Sequence, residues 1–375
     1  MMQAIPLSIA ATRVAHAAKL KKVYERGARV SSSSHQEAMI SEPHAQTLIT
    51  IICYHHQTPI NGYQNGQLCN ESLDNSTTFE DFVDSFDTII TDCDGVLYIN
   101  NDSIDGVPKA LNGLRKLNKK IIFATNNSTK NRVQFLQKLR KLGYEANLNE
   151  VFPTSYASAL YLKQINFRRS VYVLGSQGIA DELSAVGIKN FGVGPDLTPE
   201  DWAPGQARFK VDKNVGAVVV GFDNQVSFKK LAKACSYVKQ PDCLFVASNA
   251  DESFPSISPE IFVPGPGCYV SAIKAGTGRE PIVLGKPGKY FFDMIRSQHP
   301  SIDPARTIMI GDRLTTDMPF GHCNGMSTLF VQSGIGTIEE AQEFGSSSDY
   351  EEQQCAPDYY LPSLATLNKY LTKVC

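Results

Sequence analysis

FDTIITDCDGVLY (residues 86–98) ends an apolar run on two carboxylates, Asp92 and Asp94, with Cys93 between them and Gly95 directly after. Alternation along a strand lets Asp92 and Asp94 start on one side while Cys93 faces the other, where it reads as a packing residue. Burying one unpaired carboxylate is costly, and two close together also repel. Such a pair needs a third party, a cation or an incoming ligand. A calcium loop of the EF-hand kind fails, because Val96 and Leu97 stand where it needs an acid or amide and then a glycine.

Outward from this stretch, strands alternate with helices. VPKALNGLRKLNK repeats apolar residues at helical spacing and KIIFATN is a second strand. STKNRVQFLQKLRKLG predicts a helix that opens at a Ser/Thr cap near Ser128 and stops at Gly143. Further strands are VYVLG (171–175), GAVVVG (216–221), CLFVAS (243–248), PIVLG (281–285) and TIMIG (307–311). This alternation predicts an α/β fold, a Rossmann-like parallel sheet with helices on both faces. No repeat of fixed period is present.

Ligands of such sheets bind beyond the carboxyl ends of the strands, so the residues after each strand matter most. DCDG follows the first strand, TNNST the second, KPG follows PIVLG, and DRLTTD completes TIMIG. Taken singly, TNNST reads as a helix cap, Lys286 as a solvated lysine and GDRLTTD as a turn into a helix. Taken together they form one constellation. Magnesium accepts one or two carboxylates plus waters and a substrate phosphate, with Asp92 and Asp312 as side-chain ligands and a main-chain carbonyl of the DCDG turn as another. Lys286 adds a fixed charge, worth about 4 kcal/mol against an anion at 4 Å and an effective dielectric of 20. Thr125 and Asn126 offer donors to phosphoryl oxygens, joined by the amino end of the helix near Ser128. Asp92 is the candidate nucleophile and Asp94 the acid that protonates the leaving oxygen and then activates water. Phosphomonoester hydrolysis needs enhancements up to ~10²¹, which no single group supplies.

The four motifs, DCDGVLY, TNNSTKNR, GKPGKYFF and GDRLTTD, resemble those of the haloacid dehalogenase-like phosphatase superfamily over residues 86 to about 330. The resemblance implies Asp92 as nucleophile, Asp94 as acid and base, and Mg²⁺ held by Asp92, the Asp94 carbonyl and Asp312 with Asp317 in support. It assigns Thr125, Asn126, Asn127 and Lys286 to the phosphoryl group. VGFDNQVSFKKLAKAC, LFVASNADESFP and PGPGC are similar to the phosphoglycolate, pyridoxal and 4-nitrophenyl phosphatase group. That likeness implies a large α/β cap inserted at 168–281, a core of 79–167 plus 282–375, and a homodimer formed through the cap. SNADESFP (248–255) is then the candidate specificity loop, with Asn249 and Asp251 as substrate-binding residues, closer to the phosphoglycolate form than to the pyridoxal form. The implied activity is hydrolysis of small phosphomonoesters. Pyridoxal phosphate or phosphoprotein as substrate is the alternative, and an idle scaffold conflicts with four intact motifs.

The rest of the 375 residues narrows the class. Hydrophobic residues make up 42%, charged residues 20%, and the net charge is −2, which gives no field for nucleic acid. The longest apolar runs are too short to span a bilayer. Nine cysteines without CxxC spacing fit free thiols in a reducing compartment. CYHH (53–56) lacks a second ligand pair at finger spacing. Residues 1–78 read as an extension whose first thirty positions are basic, acid-poor and followed by serines. We take it as a disordered extension of a cytoplasmic protein, with a mitochondrial transit peptide as the alternative. GSSSDYEEQQC (345–355) reads as an acidic loop insertion.

Overall fold

A computed structural model describes residues 77–198, 209–254 and 260–374; the basic extension and CYHH lie outside these residues. Six strands form a wholly parallel sheet in the order Tyr359–Leu361, Ser327–Val331, Thr307–Gly311, Thr88–Thr91, Lys120–Thr125 and Val151–Pro153. Ile89, Ile90, Ile121, Ile122, Ile308 and Met309 are buried along its middle, as expected where both faces are covered. Register fixes the site. Thr91 lies opposite Ile310 on one side and Phe123 on the other, so Asp92 leaves the sheet between the ends of its two neighbours. Asp92 N still donates to Ile310 O at 2.8 Å, the last rung of the ladder.

A second parallel sheet carries Ile282–Val283, Leu244–Ala247, Val215–Val220, Ser170–Leu174 and Asn190–Phe191 in that order. It builds the cap and also corrects one boundary. Ile282–Val283, assigned to the core by its sequence, pairs with Val246 and Ala247 of the cap sheet, and Leu284 N donates to Ala247 O at 3.0 Å. The chain therefore returns to the core at Gly285 and Lys286, with no room for a core strand before the lysine. A two-stranded hairpin, Ser253–Phe254 with Val263–Pro264, hangs from the cap.

Three local expectations shift. The helix expected from Ser128 opens at Arg132, because Asn131 accepts from Gln134 N at 2.9 Å and Gln134 returns the bond to Asn131 N at 3.1 Å. Its amino end thus lies four residues past the expected cap. The acidic stretch is not all loop: Asp349 caps a short helix, Tyr350–Gln353. The core begins at helix Thr77–Asp84, whose Phe79 stacks on Tyr370 with centroids 4.7 Å apart.

Helix Asp317–His322, which carries one of the candidate acids, packs on the strands Thr307–Gly311 and Ser327–Val331. Its last residue pins it. His322 Nδ1 faces Gln354 O at 2.9 Å and Nε2 faces Asp358 Oδ2 at 3.2 Å, so both ring nitrogens meet acceptors. Burial alone would lower the imidazolium, but the Asp358 carboxylate and the Gln354 carbonyl outweigh it and raise the pKa above 6.5. A raised value in the folded state gives stability that is full below about pH 6.5 and lost as pH rises through the folded value. In urea unfolding, the advantage of the wild type over His322→Gln should shrink as pH rises from about 6 to about 8.5.

Candidate active site

Core strand ends deliver Asp92, Asp94, Thr125 and Asp312 to one cleft, where Lys286 joins them on the return from the cap and Asp317 from the start of its helix. Lys286 is the hub. Its Nζ lies 2.7 Å from Asp92 Oδ1 and 2.8 Å from Asp317 Oδ1. The first contact is a directed hydrogen bond; the second is an ion pair off the hydrogen-bond direction, so Asp317 Oδ1 is buried without a donor aimed at it. Asp317 Oδ2 accepts from Arg313 N at 3.0 Å, and Asp312 Oδ2 from Ile335 N at 2.9 Å. Asp94 is half-buried and receives Tyr98 OH at 3.3 Å and Thr125 Oγ1 at 3.5 Å on the same oxygen.

Crowding shows in the protonation of these groups. Burial pushes Asp92 well above the carboxylate range against the pull of Lys286, and Asp317, Asp312 and Asp94 add to the rise. Burial and the Asp317 charge push Asp312 up to about 7. For Lys286, burial would lower the ammonium, but Asp317 and Asp92 hold it above the usual lysine value. Burial raises the Cys93 thiol well above its usual range, and the residue is 1% exposed, as its packing role requires.

Two glycines permit the crowding. Gly95 turns the chain with φ 86°, and any Cβ there would press on the Asp312 carboxylate. A Cβ at Gly334 would collide with the same carboxylate.

Not every candidate meets the cleft as expected. The Asn126 side chain is fully engaged: Oδ1 accepts from Lys286 N at 2.9 Å, while Nδ2 donates to Lys286 O at 3.1 Å and to Asp251 at 3.1 and 3.3 Å. It positions Lys286 and leaves no amide hydrogen for a phosphoryl oxygen. Asn127 lines the cleft, but its Oδ1 accepts from Thr129 N at 3.0 Å and Thr129 Oγ1 at 2.7 Å. Asn249 is buried and donates to Asn126 O at 2.6 Å, so it braces the loop from behind. Asp251 does line the cleft, and burial raises its carboxyl despite Arg313 and Asn126. Of the specificity loop 248–255, all but Pro255 is described. Five lining residues were not singled out from sequence: Ser253, Phe254, Arg313, Thr316 and Ile335. Phe254 and Ser253 sit inside the quoted loop and Arg313 inside GDRLTTD, which is the only signal they gave.

With this geometry in view, comparison with known proteins is informative. Residues 89–189 match the haloacid dehalogenase-like hydrolase family, and residues 283–367 match a related HAD-hydrolase-like family. Glycerol-3-phosphate phosphatase of Rattus norvegicus is 40% identical over 294 residues, spanning 75% of this chain and 89% of that protein. This chain belongs to the haloacid dehalogenase-like hydrolase family. The hydrolase is also 36% identical to phosphoglycolate phosphatase 2 of Arabidopsis thaliana over 300 residues, 79% of this chain and 97% of that one. Among solved structures, a p-nitrophenyl phosphatase from Archaeoglobus fulgidus matches with a TM-score of 0.64 at 26% identity, covering 76% of this chain and 99% of that one.

The hydrolase's acids fit a hard divalent cation. Asp92, Asp312 and Asp317 each bring a buried carboxylate oxygen, all within 4.8 Å of one another, and the donor set is oxygen throughout. The undirected Asp317 Oδ1 and the raised Asp92 and Asp312 carboxyls are the marks of anions short of positive charge. Ligation requires ionised carboxylates, so binding strengthens as pH rises through about 7, the value to which Asp312 is pushed. The ion-free protein behaves oppositely: a carboxyl raised in the folded state gives stability that is lost as pH rises through that value. Thermal unfolding should therefore show a larger Mg²⁺-induced stabilisation at about pH 8 than at about pH 6, approaching ~2.7 kcal/mol at a hundredfold excess over Kd. Asp312→Asn should abolish that response and make the ion-free protein more stable at the higher pH.

Proposed function

We propose that the hydrolase cleaves small phosphomonoesters through an aspartyl-phosphate on Asp92. The carrying observation is the Lys286 ammonium, 2.7 Å from Asp92 and 2.8 Å from Asp317, set at the sheet end beside Asp94, Thr125 and Asp312. The similarity to proteins named as phosphatases supports the reading.

Asp92 has little freedom, because its backbone is the last rung of the sheet and Lys286 holds Oδ1. That ammonium favours the ionised carboxylate that attack on phosphorus requires, and it opposes the burial that raises Asp92 in the ion-free protein. In the first step an Asp92 oxygen bonds to phosphorus, the ester oxygen leaves, and Asp94 gives it a proton. In the second, a water oxygen bonds to phosphorus, the Asp92–phosphorus bond breaks, and Asp94 takes the proton back. Tyr98 OH, buried and held protonated by burial and by the Asp94 charge, stays a donor and orients Asp94 throughout. Lys286 and the Thr125 hydroxyl are placed to receive phosphoryl oxygens. The ion we propose is Mg²⁺, which Asp92, Asp312 and the main-chain carbonyl of Asp94 would hold with Asp317 in support; its charge would offset that of the phosphoryl oxygens.

Ser253 and Phe254 of the cap line the same cleft as Asp92, which favours a small leaving group over a protein loop. The homodimer through the cap stays part of the proposal, supported by exposed apolar side chains such as Leu197 and Phe262. With 4-nitrophenyl phosphate and Mg²⁺, Asp92→Asn should lose activity to background, and Asp94→Asn should fall by about 10²- to 10⁴-fold. Intact mass measurement of Asp94→Asn after mixing with substrate should show a phosphate adduct that Asp92→Asn lacks. Retained turnover in Asp92→Asn would remove the nucleophile from the proposal.

A further inference from the structure

Arg313 stands next to Asp312 and is half-buried in the cleft wall. A guanidinium is always charged and offers five donors in a planar fork suited to a carboxylate. Here the side chain makes one hydrogen bond, from Nη2 to the Ser253 carbonyl at 3.3 Å. Among the described residues it enters no ion pair, although its charge is felt by both Asp251 and Asp312. Those two acids are engaged elsewhere. Asp251 takes the Asn126 amide on both oxygens, and Asp312 takes Ile335 N.

The position of this cation gives it a use. Lys286 and Thr125 mark the phosphoryl end of the cleft, at the strand ends. Arg313 reaches from the core to the cap hairpin, where Phe254 is fixed edge-on to Phe222 with centroids 4.6 Å apart. A substrate whose phosphorus faces Asp92 sends its leaving group toward that roof. Beside Phe254 the only described cation lining the cleft, other than Lys286, is Arg313.

We propose that Arg313 binds a carboxylate on the leaving group and thereby selects phosphorylated hydroxy acids over phosphorylated polyols. The proposal rests on the phosphatase reading for the direction in which the substrate lies. It assigns Arg313 to specificity, with Ser253 O holding the fork in place, and it differs from a strut between core and cap. A strut would affect every substrate alike.

Binding is measured by calorimetry on the full chain carrying Asp92→Asn, which does not turn substrate over, with 2-phosphoglycolate and glycerol 3-phosphate as probes. 2-Phosphoglycolate should bind more tightly, and adding Arg313→Gln should weaken it by about tenfold to a hundredfold. Glycerol 3-phosphate should change by less than about threefold, and Arg313→Lys should restore part of the difference. Equal weakening of both probes, no weakening, or a parent protein that prefers glycerol 3-phosphate would each overturn the proposal. Hydrolysis of 4-nitrophenyl phosphate by the wild type is run alongside. Its failure would sink the phosphatase reading, while the binding comparison decides Arg313 by itself.

Discussion

Everything in this site follows from one electrostatic constraint, the packing of buried acids around a single buried ammonium. Five carboxylates and two cations line the cleft, and Asp92, Asp312, Asp317 and Lys286 are all buried. Lys286 hydrogen-bonds Asp92 and pairs in charge with Asp317, and main-chain donors take part of the remaining demand. The balance is still negative. A fold that tolerates this must gain from what it later binds, and a divalent cation among the acids would offset part of the deficit. The parallel sheet supplies the geometry, because neighbouring strands in register end at the same height and point their next residues into one space.

The cap is tied to this arrangement by polar contacts as well as by an apolar cluster it shares with the first sheet, where Ile90, Ile122 and Met309 belong with Val171, Val219 and Val246. Asn249 reaches Asn126 O, Asp251 takes the Asn126 amide, and Ser253 O takes Arg313. Three cap residues within one loop therefore touch the two core segments that carry the TNNST and GDRLTTD motifs. The loop proposed to set substrate choice is at the same time part of what holds the core motifs in position, so changes in it need not act on specificity alone.

The motif-bearing strands Thr88–Thr91, Lys120–Thr125 and Thr307–Gly311 and the acids beyond them were legible in the sequence because both depend on local pattern: short apolar runs, then a break into charge. What was not legible depends on contacts distant in sequence. Ile282–Val283 looks like any buried strand, and only its pairing with Val246 and Ala247 assigns it to the cap. Asn126 looked like a phosphate donor, since nothing local reveals that Lys286, 160 positions later, uses its amide. Arg313 looked like an ordinary turn residue, because its contact lies 60 positions away on a different sheet. The displaced helix start is a different kind of case. Both Ser128 and Asn131 are good caps, and the choice went to Asn131 because Gln134 completes a reciprocal pair there.

The engagement of Asn126 has a mechanical side. Its amide grips Lys286 from both the N–H and the C=O, as a neighbouring strand would, immediately after the cap's edge strand ends. The lysine therefore belongs to the core as firmly as a sheet residue does, although the chain reaches it straight from the cap. Leu284 still belongs to the cap sheet and Gly285 is hemmed in by Asn126, Ser248 and Asn249, so the passage from roof to core takes place within two residues. The charge at the centre is thus placed by a side chain of the neighbouring motif, which does for Lys286 what a strand does for Asp92.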